Sequence, residues 1–211
     1  MAICGLITVL ENEESWVRVT DVAWIDYGMT LTLAVLDGQY GEATSRWRVR
    51  CTEVRELLIS DVIGGGLHLH ESNHVALRLH SDEVASLYFT GVPKDPLSTI
   101  GALYEAHRSI CDDWMPIDKY LNQLSPSSQL LAGGHGKLAS GPKFLLEKYA
   151  EILGEAGVTT RITDIFPAKY WNGGAWVEQT IPLKLLHFGE SFVIAEKFDG
   201  ERLQEPPKFI K

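Results

Sequence analysis

Four of the seven histidines fall in the stretch Leu67-His68-Leu69-His70-Glu71-Ser72-Asn73-His74-Val75-Ala76-Leu77-Arg78-Leu79-His80. Imidazole is the commonest metal ligand and the side chain that titrates unaided near neutral pH. Chemistry in this stretch requires several rings on one face. If it forms a β-hairpin, Leu67, Leu69, Val75, Leu77 and Leu79 must share the buried side. A three-residue loop, Glu71-Ser72-Asn73, achieves this by pairing His70 with His74 and His68 with Ala76. Asn73 suits the left-handed position late in such a loop. His68, His70 and His74 then share the face turned from the core. Directly opposed Cβ atoms are roughly 5 Å apart, close enough for imidazoles to share a divalent metal such as zinc. His80 lies roughly 20 Å further along that strand and is set apart. Glu71 is the one carboxylate at hand. The competing reading is a solvated sheet face that happens to carry histidines.

Other residues suggest weaker chemistry. Arg46, Arg48 and Arg50 alternate along one strand, with Arg55 close after. Such a stripe can hold phosphate by charge-assisted bonds, or be a solvated face neutralised by nearby carboxylates. It lacks the interleaved aromatics expected of a nucleic-acid surface. His107 and Cys111 stand four apart on a helical stripe, a spacing open to a cysteine nucleophile and its base. Both sit among apolar residues, where a thiol packs as a small hydrophobe. Gly133-Gly134-His135-Gly136-Lys137 fails the phosphate-loop pattern at both ends, since Leu131 and Leu138 occupy key positions. Tyr170, Trp171 and Trp176 flank Asn172-Gly173-Gly174 and form an aromatic hairpin suited to an interface, or to cross-strand packing alone.

The elements that must position these residues read as α+β: a mostly antiparallel β-sheet with two main helices packed on it. Residues 29–36 alternate Met29, Leu31, Leu33 and Val35 with smaller residues. Residues 43–52 set Ala43, Ser45, Trp47, Val49 and Cys51 against the arginine face. A strand over 84–90 turns Ala85, Leu87 and Phe89 inward. Asp95-Pro96 opens a helix whose stripe is Leu97, Ile100, Leu103, Tyr104, His107, Ile110 and Cys111. A helical turn or two follows within 115–124. Residues 125–140 are rich in Ser and Gly and read as a long loop, a lid or a disordered segment. A second helix runs from Pro142 to Gly157 with Leu145, Tyr149, Ile152, Leu153 and Ala156 inward. Strands follow at 158–165, in the aromatic hairpin and at 191–198, before a frayed tail around Glu205-Pro206-Pro207. The expectation is a single domain over 1–211: β-rich to 90, helical over 95–157, β-rich over 158–200.

Composition bounds the function classes. The 211 residues are 45% hydrophobic and 22% charged, with a net charge of -9, ordinary values for a folded chain. The acidic field disfavours nucleic acid and anionic membrane and favours a basic protein partner, or leaves room for a homo-oligomer. Cys4, Cys51 and Cys111 are odd in number and far apart, which suits a reducing compartment. Met1–Leu10 reads as a first strand, too short to span a membrane and without the basic lead of a signal peptide. These features point to a cytoplasmic, acidic binding protein of adaptor or toxin-neutralising type, without catalytic activity. A metal-dependent enzyme or metal-binding protein built on the histidines is the alternative, and an anion binder built on the arginines the third.

Overall fold

The computed structural model describes residues 3, 5–7, 16–26, 28–60, 63–112, 114–121 and 126–203. In chain order the strands are β1 (Trp16–Ile25), β2 (Gly28–Leu36), β3 (Ala43–Leu58), β4 (Ile63–Gly65), β5 (His68–His70), β6 (Val84–Thr90), β7 (His135–Pro142), β8 (Thr159–Phe166), β9 (Lys169–Trp171), β10 (Trp176–Glu178), β11 (Lys184–Phe188) and β12 (Ser191–Leu203). The helices are α1 (Val75–Ser81), α2 (Pro96–Cys111), α3 (Ser127–Gly133) and α4 (Lys143–Glu155), with a 3₁₀ turn at Ile117–Lys119. Every strand pairing is antiparallel, and the fold is α+β. Among the described residues no helix is long and apolar enough to cross a membrane.

Two compact units divide the chain: residues 1–77 with 181–211, and residues 78–180. The first is a seven-stranded sheet in the order β4-β1-β2-β3-β12-β11-β5. Its alternation follows the sequence pattern: Met29, Leu31, Leu33 and Val35 of β2 are buried, as are Ser45, Trp47, Val49 and Cys51 of β3. Ala43 of β3 is exposed. Met29, Leu31, Leu33, Val35, Trp47, Val49 and Cys51 join Val17, Leu186, Phe188, Val193 and Phe198 in one apolar core. Gly28 has no room for a side chain, since a Cβ would lie 2.1 Å from the Cys51 carbonyl oxygen on β3. The described N-terminal residues 5–7 form a helical turn rather than a strand, with Ile3 and Leu6 buried in the same core.

In the second unit α4 packs on a three-stranded sheet, β7-β6-β8, and α2 packs on α4. Asp95 caps α2 by accepting the Ser98 N–H at 3.0 Å. Leu103, His107 and Cys111 face the core, whereas Leu97 and Tyr104 point outward, so the buried stripe is narrower than the sequence pattern. From α4, Leu145, Leu146, Tyr149 and Leu153 are fully buried. The segment 125–140 is no loop. Its described part forms α3, ended by Gly134 in the left-handed conformation (φ 74°), and then β7. Only two turns of helix fit there, too few for a period to show, and Ser and Gly masked the strand. Cys4, Tyr27 and the Glu205-Pro206-Pro207 tail lie outside the described residues.

Candidate functional sites

The histidine stretch does not fold as the expected hairpin. β5 pairs instead with β11, which sets His68 opposite His187 and Leu69 opposite Leu186. Leu69 packs on the core, so His68 and His70 take the other face with His187. Glu71-Ser72-Asn73 then turns the chain, with Asn73 left-handed (φ 60°) as its position requires. The segment that follows is the helix α1, not a strand. Ala76 and Leu77 are both buried, which adjacent strand residues on opposite faces would not achieve against a single core. His74 sits at the helix start, where its Nδ1 accepts the Ala76 N–H at 3.2 Å.

Four imidazoles thereby gather in one place. Ring centroids are 4.9 Å apart for His68 and His187, 5.0 Å for His70 and His187, and 4.8 Å for His70 and His74. His74 and His187 are 6.4 Å apart. The trio His68, His70 and His74 is brought together, by a turn into a helix rather than by hairpin register, and His187 joins from far along the chain. His80 lies beyond His74 on a helix, so the distance along a strand that set it apart does not apply. Glu71 is drawn away by an ion pair with Lys184.

Burial and mutual repulsion make His70, His74 and His187 harder to protonate. His187 is pushed down to about 4 by burial and then by His68, His70 and His74. His70 is lowered by burial and then by His68, and His74 by burial and then by His70. Nε2 of His70 is buried and makes no hydrogen bond within the described residues. The rings of His70 and His187 stack at 8°, and those of His68 and His187 at 29°. Such stacking turns ring faces, not nitrogens, toward each other. Accordingly, among the described residues no three His, Cys, Asp or Glu side chains stand ready-arranged around an ion. Gly66, at φ 68°, lies under His68, and a Cβ there would come 2.8 Å from its Nε2.

The aromatic hairpin forms as its turn residues dictate. Asn172 Oδ1 accepts the N–H groups of Gly174 (3.1 Å) and Ala175 (2.9 Å), and Gly173 takes φ 95°. This places Trp171 directly opposite Trp176 and Tyr170 opposite Val177. The two indoles meet edge to face, centroids 5.9 Å apart at 66°. They are 56% and 66% exposed, so the pair is presented to solvent rather than packed on a core. Tyr170 is half-buried.

Arg46, Arg48 and Arg50 are exposed on β3, with Leu203, Glu201 and Asp199 of β12 directly opposite. Arg48 lies 3.9 Å from Glu201. The Arg55 side chain, 6% exposed, pairs with Glu53 at 3.3 Å and with Glu196, tying β3 to β12. His107 is buried between Tyr149 and Met115. The carbonyl of Met115 can only accept, so Nε2 carries the proton at 2.8 Å, and Nδ1 accepts from the Tyr149 hydroxyl at 2.6 Å. Both imidazole nitrogens are thus committed to structure. The neighbouring Cys111 thiol is fully buried, its pKa pushed up to about 11 by burial, so it does not form the nucleophilic thiolate at neutral pH. On the β6–β8 surface an open groove of about 590 Å³ is lined by Tyr88, Thr90, Thr159, Arg161, Thr163 and Asp164. It is a surface depression with neither a nucleophile–base pair nor a paired carboxylate. No protein-family model, curated protein or solved structure matches this chain, so these sites alone carry the functional reading.

Proposed function

We propose that this is an acidic, cytoplasmic binding protein without catalytic activity, of adaptor or toxin-neutralising type, whose partner is a basic protein. The observation that carries the reading is the Trp171–Trp176 pair, directly opposed and more than half exposed on a two-strand turn. Exposed indole faces lose hydration readily, keep few rotamers and attract guanidinium groups, which is why Trp concentrates in binding hot spots. The net charge of -9 steers a basic partner toward the chain. Buried thiols at Cys51 and Cys111, neither in a disulfide, suit a reducing cytoplasm. The arginine stripe is a poorer anion site, because acidic residues of β12 stand across from Arg48 and Arg50.

The test is an NMR titration of the full chain with a ten-residue arginine peptide, watching the six indole N–H signals. Trp171 and Trp176 are expected to move first and furthest. A titration in which they stay fixed, or in which a polyphosphate moves the arginine face instead, overturns the reading.

A further inference from the structure

We propose that His68, His70, His74 and His187 form a binding site for one divalent transition-metal ion of the zinc, nickel and copper class. The argument stands on spacing. A metal–nitrogen bond of about 2.0–2.1 Å places each ring centroid about 3.2 Å from the ion. Two such rings are then about 4.5 Å apart at a right angle, about 5.2 Å at the tetrahedral angle and about 6.4 Å when trans. The observed separations are 4.8, 4.9 and 5.0 Å for three pairs and 6.4 Å for His74 and His187. These four separations lie within the range that ring pairs of one coordination shell span.

What differs from a closed site is orientation. Stacked planes, one ring lying over the other at 8°, cannot both contain one ion, so His70 or His187 must turn about its side-chain torsions. β5 and β11 hold His70 and His187 on adjacent, hydrogen-bonded strands, and Asn73 turns the chain toward His74. One feature favours the turn. The buried Nε2 of His70 gains the partner it lacks within the described residues, and an unsatisfied buried nitrogen is costly. The Ala76 N–H bond to Nδ1 leaves the His74 proton on Nε2, so His74 ligates only by giving up that bond and offering Nδ1.

The donor set selects the ion. Four imidazoles with no carboxylate suit borderline ions and not magnesium or calcium, which want oxygen. Glu71 does not add charge to the shell, because Lys184 holds it.

The experiment uses tag-free full-length protein stripped with chelator and titrated calorimetrically with zinc chloride, then with magnesium chloride. One zinc per chain is expected, with no magnesium binding. His70→Ala and His187→Ala should each weaken zinc affinity at least tenfold, and His135→Ala, on an exposed residue of the other unit, should leave it unchanged. Long-range ¹H–¹⁵N spectra of the unaltered chain guard against misfolded variants: stoichiometric zinc should shift four imidazoles and leave His107 and His135 in place. Absence of zinc binding, an affinity indifferent to His187→Ala in a folded variant, or shifts confined to other histidines would overturn the proposal.

Discussion

Trp171 and Trp176 face each other across one rung of a three-residue ladder, with the indole planes 66° apart. The pair stabilises the hairpin and still leaves most of each ring in water. Edge-to-face contacts of this kind are worth about 0.5–1.5 kcal/mol beyond area burial. Trp171→Ala with Trp176→Ala should therefore lower the urea midpoint only slightly. A collapse of the whole unit on that double substitution would show the rings to be core rather than surface.

The hydrogen-bonded chain Tyr149–His107–Met115 gives a second prediction. Tyr149→Phe preserves shape but leaves the buried Nδ1 of His107 without its donor. A buried acceptor left alone costs about 1–3 kcal/mol, which for a chain of this size is a drop of roughly 2–12 °C in melting temperature. Calorimetry showing no change would contradict the assignment of Tyr149 as donor.

Two thiols report on burial. Cys51 is pushed up to about 12 and Cys111 to about 11, each by burial. A thiol whose folded pKa lies above its unfolded value stabilises the fold fully below that unfolded value. The contribution is lost as pH rises from near 9 toward 11–12. Below that window neither should react with iodoacetamide at pH 8 until urea unfolds the chain. Mass spectrometry of the folded protein finding carbamidomethyl at either site would refute this.

Glycines divide by what surrounds them. Gly28→Ala would drive a methyl into the Cys51 carbonyl, forcing β2 from β3 at a cost of about 1–3 kcal/mol. Gly154→Ala meets open space in the helix α4 and should stabilise by roughly 0.5–1 kcal/mol. Opposite shifts in the urea midpoint are expected; shifts of the same sign would show the strand packing to be misread.

How far the sequence disclosed this arrangement depends on the range of the contacts involved. The alternation in 29–36 and 45–51 was sufficient because one buried face imposes a period of two on its own strand. Asp95, Pro96 and Asn172-Gly173 were legible because caps and turns are decided within a few residues. The histidine cluster was half legible. Its trio was found through a hairpin that does not exist, because Val75, Leu77 and Leu79 fit a strand period while Ala76 and Leu77 bury together on a helix. His187 was missed because only the β5–β11 ladder brings it near, and nothing local marks that pairing. The 125–140 segment reads as a loop for the opposite reason: its Ser- and Gly-rich composition outweighs two short elements that leave no room for a period.

The central claim is that the indole pair is the docking surface for a basic partner. Its most direct test is the dissociation constant of a ten-residue arginine peptide for the unaltered chain and for the Trp171→Ala, Trp176→Ala double variant, at low and physiological salt. The account predicts binding that weakens with salt and weakens at least tenfold further in the variant, with a ten-residue glutamate peptide inert. Equal affinity for both proteins, or preference for the glutamate peptide, would contradict it.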